Sequence, residues 1–136
     1  VMYLYDDYSL RQAMEKMEYH KYSAVPIINR AGNYVGTLTE GDILWELKDR
    51  KLSNLHEAEE IMLRHINRKR DNEPVNVNCN IEDLVMTSMN QNFVPVIDDN
   101  GIFIGIVTRK SIIEYCYKQY KAVSSAQAGV EKVTEL

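Results

Sequence analysis

Cysteine is scarce: Cys79 and Cys116 are the only two in 136 residues. They lack the close pairing and neighbouring histidines of a zinc site, so a metal centre is not expected, and free thiols fit a reducing cytoplasm. No apolar run reaches the length of a membrane span, the longest being Ile102 to Val107, and no signal-peptide pattern opens the chain. Excess positive charge is absent too. A net charge of −4 and a pI near 5.4 argue against general nucleic-acid binding. The exception is the basic cluster Arg64, His65, Arg68, Lys69 and Arg70, read first as a solvated linker and second as a phosphate-facing patch. There is no Gly-x-Ser-x-Gly elbow, Walker loop, His-Glu-x-x-His helix or dinucleotide glycine fingerprint, and His20, His56 and His65 fall in unrelated positions. Catalysis is not expected. The chain opens on Val1 rather than Met, and the first repeat is expected to lack part of its N-terminal edge.

What is present is a duplication. Met17 to Leu44 recurs, imperfectly but without a gap, as Met86 to Ile113. Pro26 and Pro95, Gly32 and Gly101, Gly36 and Gly105, and Thr39 and Thr108 are all 69 positions apart. Prolines and glycines fix backbone geometry, so their shared register marks a repeated folding unit. With 45% hydrophobic and 26% charged residues, the chain reads as one compact domain burying roughly two thirds of its unfolded surface. Each half is too small to stand alone. The two are expected to share one core about a pseudo-twofold axis, with clefts between them.

Within repeat one, Met2 to Tyr5 reads as a strand, Ser9 as an N-cap, and Leu10, Ala13, Met14 and Met17 as the buried stripe of a helix to about Tyr19. Ala24 to Ile28 and Tyr34 to Leu38 form a hairpin around Asn29-Arg30-Ala31-Gly32-Asn33. Thr39 caps a helix from Glu40 to about Asp49, with Ile43, Leu44 and Leu47 inward and Trp45 at an edge. Repeat two follows suit: Val75 to Val77, a helix Ile81 to about Met89, strands Phe93 to Ile97 and Ile102 to Val107, and a helix Arg109 to about Tyr120. Leu10 to Pro26 spans two positions more than Ile81 to Pro95, so one loop is trimmed. His56 to Ile66 is expected to be a helical connector, and the tail from Ala122 frayed or disordered. The organisation is thus repeat one over 1–50, connector and basic linker over 51–73, repeat two over 74–121 and a tail over 122–136.

The informative segment is Gly36-Thr37-Leu38-Thr39-Glu40-Gly41-Asp42. It passes from strand to helix, placing Thr39 and the free amides of a first helical turn at the positive end of a helix dipole, a geometry that suits phosphate. Asp42, three residues on, is placed to accept from two vicinal hydroxyls of a ribose. The same two residues also satisfy a capping box with no ligand at all. Both readings stand on spacing alone.

A strand-to-helix Gly-x-x-Thr-x-x-Asp after an apolar-Pro-apolar strand and a turn glycine, present twice, resembles the tandem cystathionine-beta-synthase (CBS) domain pair, or Bateman module. The resemblance runs from Met2 to about Tyr120. It implies an α+β fold of two pseudo-symmetric β-α-β-β-α repeats packed through their sheets, with adenine nucleotides in the clefts between them. By position it implies that Thr39 bonds phosphate or ribose and Asp42 the ribose. The backbone of Tyr22 and Ala24 would read the adenine edge, with Tyr3 flanking the base. In repeat two it points to Thr108 and the Asn92-Phe93-Val94 backbone. There the pattern departs: Ser111 replaces Asp42, which implies a second site that is weaker, empty or differently specific. Arg109 and Lys110 replace Glu40 and Gly41, placing two cations beside Thr108 at a helix start, where they oppose its dipole; they are read first as reaching a polyphosphate or phosphodiester across the cleft and second as an exposed turn of solvated charges.

The resulting expectation is a cytoplasmic, non-enzymatic regulatory module, without membrane or nucleic-acid partners and without a required cofactor. It senses AMP, ADP, ATP or cyclic di-AMP, forms a homodimer and signals to an effector protein. The competing expectation is a dimerisation and interaction module that works without any ligand.

Overall fold

The computed structural model describes residues 2–68 and 71–126. The elements run β1 (Leu4–Tyr5), α1 (Leu10–His20), β2 (Ala24–Ile28), β3 (Tyr34–Thr39), α2 (Glu40–Asp49), α3 (Leu55–Ala58), a 3-10 turn (Leu63–His65), β4 (Val75–Asn76), α4 (Ile81–Ser88), β5 (Phe93–Ile97), β6 (Phe103–Thr108) and α5 (Arg109–Ala126). Two three-stranded sheets result, ordered β1-β2-β3 and β4-β5-β6, each with a parallel first pair and an antiparallel hairpin. The α+β fold of two β-α-β-β-α repeats is therefore present.

Equivalent turns build the hairpins. Asn29 Oδ1 accepts from Asn33 N–H at 2.9 Å, and Asp98 Oδ1 accepts from Ile102 N–H at 3.0 Å. Gly32 (φ +93°) and Gly101 (φ +81°) supply the left-handed backbone that these turns require. The two turns meet: Asn33 bridges Ile102, its own equivalent, and Phe103 N–H donates to the Gly32 carbonyl at 2.8 Å. Phe103 stacks on Tyr34 with centroids 6.5 Å apart and meets Tyr3 edge-on at 6.2 Å. The pseudo-twofold axis passes through this joint.

The helices do not share the register of the strands. The N-caps Ser9 and Asn80 lie 71 positions apart, whereas Ala24 and Phe93 lie 69 apart. The gapless repeat therefore begins after the helix, and Met17 is not the structural equivalent of Met86. The missing two residues fall at the end of α4, which has eight residues against the eleven of α1.

The core is also less shared than expected. The buried cluster comprises Leu4, Leu10, Ala13, Met17, Val25, Ile27 and Leu38 of repeat one together with Ala58, Ile61, Leu63 and Ile66 of the connector. The connector is helical only at α3 and the 3-10 turn, because it runs back along the start of α1. Leu10 N–H donates to the Ile61 carbonyl at 2.7 Å and Leu63 N–H to the Tyr8 carbonyl at 2.9 Å. Among the described residues nothing covers repeat two in this way, and the chain after β6 instead forms the 18-residue α5, with Ile112 its buried side chain. Residues beyond Ala126 lie outside the described residues.

On α2, Leu44 is 64% exposed, while Ile43 and Leu47 pack against the core. Asp42 and Glu46 take the buried positions, and Glu46 pairs with Arg50, whose guanidinium also donates to the His65 carbonyl at 3.1 Å. The basic cluster is not one face. Arg64 pairs with Asp6, and Arg68 is bound into β3 through Asp71; Lys69 and Arg70 lie outside the described residues.

If the connector is core, Leu63→Ala costs about 3 kcal/mol in urea unfolding. A loss below about 1 kcal/mol would show that it merely covers the surface. Burial also pushes the Tyr34 hydroxyl up to about 12 from 10.0. A raised folded value means that this group's stabilisation is complete below about pH 10 and is lost as pH climbs through about 12. The stability difference between the wild type and Tyr34→Phe should therefore shrink over that range, and parallel pH profiles would contradict it.

Candidate nucleotide site

At the end of sheet one, hairpin register brings the strand-to-helix step beside the entry to β2. Ala24 lies opposite Thr39, and Glu40 N–H donates to the Ser23 carbonyl at 3.0 Å. Thr39 and Asp42 form a reciprocal cap: Asp42 N–H donates to Thr39 Oγ1, and Thr39 N–H donates to Asp42 Oδ2, each at 3.1 Å. Asp42 is only 3% exposed. Of the first three amides of α2, those of Glu40 and Asp42 thus have protein acceptors, and the residue between them, Gly41, is exposed. Tyr22 N–H closes α1 on the Met17 carbonyl, while its ring stacks on His20 with centroids 5.5 Å apart. The Tyr22 side chain lines a groove between α1 and α2. Tyr3 is half-exposed and sits at the joint, against Tyr5 and Phe103.

The second corner repeats this frame with different chemistry. Phe93 lies opposite Thr108, and Arg109 N–H donates to the Asn92 carbonyl at 3.3 Å. Ser111 N–H donates to Thr108 Oγ1 at 3.1 Å, and the two hydroxyls lie 3.0 Å apart. The Phe93 ring is buried, and its carbonyl already accepts from Asn72 Nδ2 at 2.9 Å and Gln91 Nε2 at 3.0 Å. Arg109 has a partner that sequence reasoning missed. Its guanidinium donates to the Ser88 carbonyl at 3.0 Å and the Met89 carbonyl at 3.1 Å, closing the C-terminal end of α4. A cation there complements the negative end of one helix and so offsets its unfavourable place at the start of another. Lys110 is exposed and makes no ion pair or side-chain hydrogen bond among the described residues.

Sequence reasoning also missed the clasp that holds the linker to β3. The Thr37 N–H donates to Asp71 Oδ1 at 2.9 Å, and Arg68 pairs with Asp71 at 2.7 Å while donating to the Val35 carbonyl at 3.2 Å. Gly36 leaves room for both side chains, since a Cβ there would lie 2.5 Å from Arg68 and 2.6 Å from Asp71. Nothing in the linker's composition signals this contact. Among the described residues no cluster of three His, Cys, Asp or Glu could hold a metal, and no helix is long and apolar enough to cross a membrane.

Two small β-α-β-β-α halves joined at equivalent turns, each with a hydroxyl-capped strand-to-helix corner, define a tandem-repeat module. The CBS domain family model matches residues 1–49 and 58–118, and the chain belongs to the CBS domain family. It is similar to a CBS domain protein of Streptococcus pneumoniae TIGR4, with a TM-score of 0.78 and 27% identity over 88% of this chain and 81% of that one. It is similar to CbpB solved in complex with c-di-AMP, with a TM-score of 0.82 and 26% identity over 93% and 83% of the two chains. Among curated proteins, an L-aspartate semialdehyde sulfurtransferase of Methanocaldococcus jannaschii is 32% identical over 76% of this chain and 19% of its own length. An uncharacterised protein of the same organism is 26% identical over 83% of this chain and 26% of its own. The chain thus spans about a quarter or less of these curated relatives.

The two corners differ in cap strength. Thr39→Ala removes a reciprocal cap and is expected to cost about 1–2 kcal/mol, whereas Thr108→Ala removes a one-sided cap and costs about 1 kcal/mol or less. Urea unfolding of both variants checks the order, and equal losses would count against the asymmetry.

Proposed function

We propose that this chain is a non-catalytic, cytoplasmic regulatory module that senses an adenine nucleotide in the clefts between its repeats and signals, as a homodimer, to a partner protein. The observation that carries this reading is the convergence at one corner of Thr39, Asp42 and the backbone of Tyr22 to Ala24, within a family where CbpB is solved with c-di-AMP bound. Thr39 bonds phosphate or ribose, Asp42 accepts from the ribose hydroxyls, the Tyr22 and Ala24 backbone reads the base, and Tyr3 flanks it. A carboxylate accepts several hydrogen bonds, so capping Thr39 is compatible with holding a ribose. The second corner, at Thr108 and the backbone beside Phe93, has no carboxylate and binds more weakly or with different specificity. Because Arg109 is held by the end of α4, Lys110 is the cation that meets added phosphates, with Arg109 behind it.

A ligand-free interaction module is the second reading. Its support is the self-satisfied cap, which needs no ligand to complete it. The two separate in a thermal unfolding panel of AMP, ADP, ATP, cyclic di-AMP, GTP, NAD and S-adenosylmethionine, using protein freed of bound nucleotide. A ligand at 100 times its Kd adds about 2.7 kcal/mol, which raises the midpoint by several degrees. The expected result is a shift confined to adenine compounds, abolished for all of them by Asp42→Ala. Lys110→Ala should weaken cyclic di-AMP and ATP more than AMP. No shift with any compound would favour the ligand-free reading.

A further inference from the structure

Hairpin register fixes which way the Phe93 backbone faces. Arg109 N–H donates to the Asn92 carbonyl, so the next pair along, Phe93 and Thr108, turns the Phe93 N–H and C=O away from β6. Pairing of β5 with β4 begins only at Val96, opposite Val75, so the Phe93 carbonyl emerges at the linker ahead of β4. Ala24 is set in the same way in repeat one, where Glu40 N–H donates to the Ser23 carbonyl and β1 joins β2 only at Ile27. The two carbonyls are met differently. Among the described residues no side chain donates to that of Ala24, whereas that of Phe93 accepts from both Asn72 Nδ2 and Gln91 Nε2. A carbonyl oxygen has two lone pairs, and neither is left for a ligand.

Both donors are half-buried and are themselves held. Gln91 takes the place of Tyr22 in the strand register and closes a reciprocal pair with the Glu73 backbone: its Oε1 accepts from Glu73 N–H at 3.0 Å, and its Nε2 donates to the Glu73 carbonyl at 2.9 Å. Asn72 is fixed by the Tyr34 hydroxyl, which donates to its carbonyl at 2.8 Å, and by its neighbour Asp71 on the Thr37 N–H. The adjoining cavity, of about 260 Å³, is lined by Asp71 and Glu73 and, among the described residues, by no lysine or arginine. That charge balance opposes phosphate.

We propose that Asn72 and Gln91 are specificity-determining residues that close the Phe93 edge to adenine, so that each chain reads one base, beside Tyr22 and Ala24. An adenine amino group needs a free carbonyl to accept from it, and here two protein amides hold that acceptor. This inference rests on the adenine-nucleotide reading and names the residues that set the two corners apart.

Calorimetric titration of nucleotide-free protein with AMP, ATP and cyclic di-AMP counts the ligands. The wild type is expected to take no more than one of any of them per chain. The double variant Asn72→Ala, Gln91→Ala is expected to take a second molecule of whichever binds the wild type most tightly. Two ligands in the wild type, or still one in the double variant, overturns the closure and leaves the adenine reading standing. A wild type that binds none of the three overturns that reading and this inference together. Should the double variant fail to fold, hydrogen exchange of the side-chain amides in isotope-labelled wild type answers the same question. The Asn72 and Gln91 amide protons are expected to keep their protection when the chain is saturated with the nucleotide that binds it. Faster exchange on saturation shows the ligand displacing them and overturns the proposal.

Discussion

The amide of Thr37 sits in a residue with no solvent exposure and points away from its hairpin partner Pro26, towards the open edge of β3. A buried N–H without an acceptor is costly, so something must come to that edge. Asp71 does, and its charge is balanced by Arg68, which also reaches the Val35 carbonyl. Linker and strand are thereby fastened only a few residues before β4. Tyr34 extends the same fastening through the Asn72 carbonyl at 2.8 Å, and Asn72 in turn reaches the Phe93 carbonyl in sheet two. One strand amide and the side chains that answer it thus tie repeat two to sheet one, alongside the meeting of the two hairpin turns.

From that joint the rest of the molecule follows asymmetrically. The connector after α2 is drawn back along α1 and closes the core of repeat one with Ile61, Leu63 and Ile66. Repeat two has no such cover among the described residues. The contrast appears strand by strand: β3 buries Gly36, Thr37 and Leu38, whereas β6 has no fully buried residue. Burial of this size decides where stability resides, because apolar area removed from water is the main favourable term in folding. Repeat one is therefore the firmer half, and it carries the carboxylate-bearing corner.

Strand-to-helix corners of this kind join local and ligand chemistry. A hydroxyl at an N-cap and an acid three residues later satisfy the helix start, and the same groups suit a nucleotide's hydroxyls and phosphates. The two corners share the backbone frame and differ in side chains. That allows one fold to present two unlike sites, with Asp42 in one and Ser111 beside Lys110 in the other.

The sequence by itself determined the duplication, the hairpins with their Gly32 and Gly101 turns, the N-caps at Ser9 and Thr39, and the family, because each depends on short-range periodicity and on residues that restrict the backbone. The Thr39–Asp42 pair was legible for the same reason, though spacing could not tell cap from ligand contact. Only the tertiary structure decided what depends on partners distant in sequence. It turned Leu44 outward into the groove between α1 and α2, and it sent the Arg109 guanidinium to the carbonyls of α4. It also converted Arg68 from a linker charge into a clasp on β3 and moved the connector into the core of repeat one. Helical periodicity marks which residues are apolar but not which neighbour covers them, and a charged side chain's role is set by the acceptor it finds across the fold.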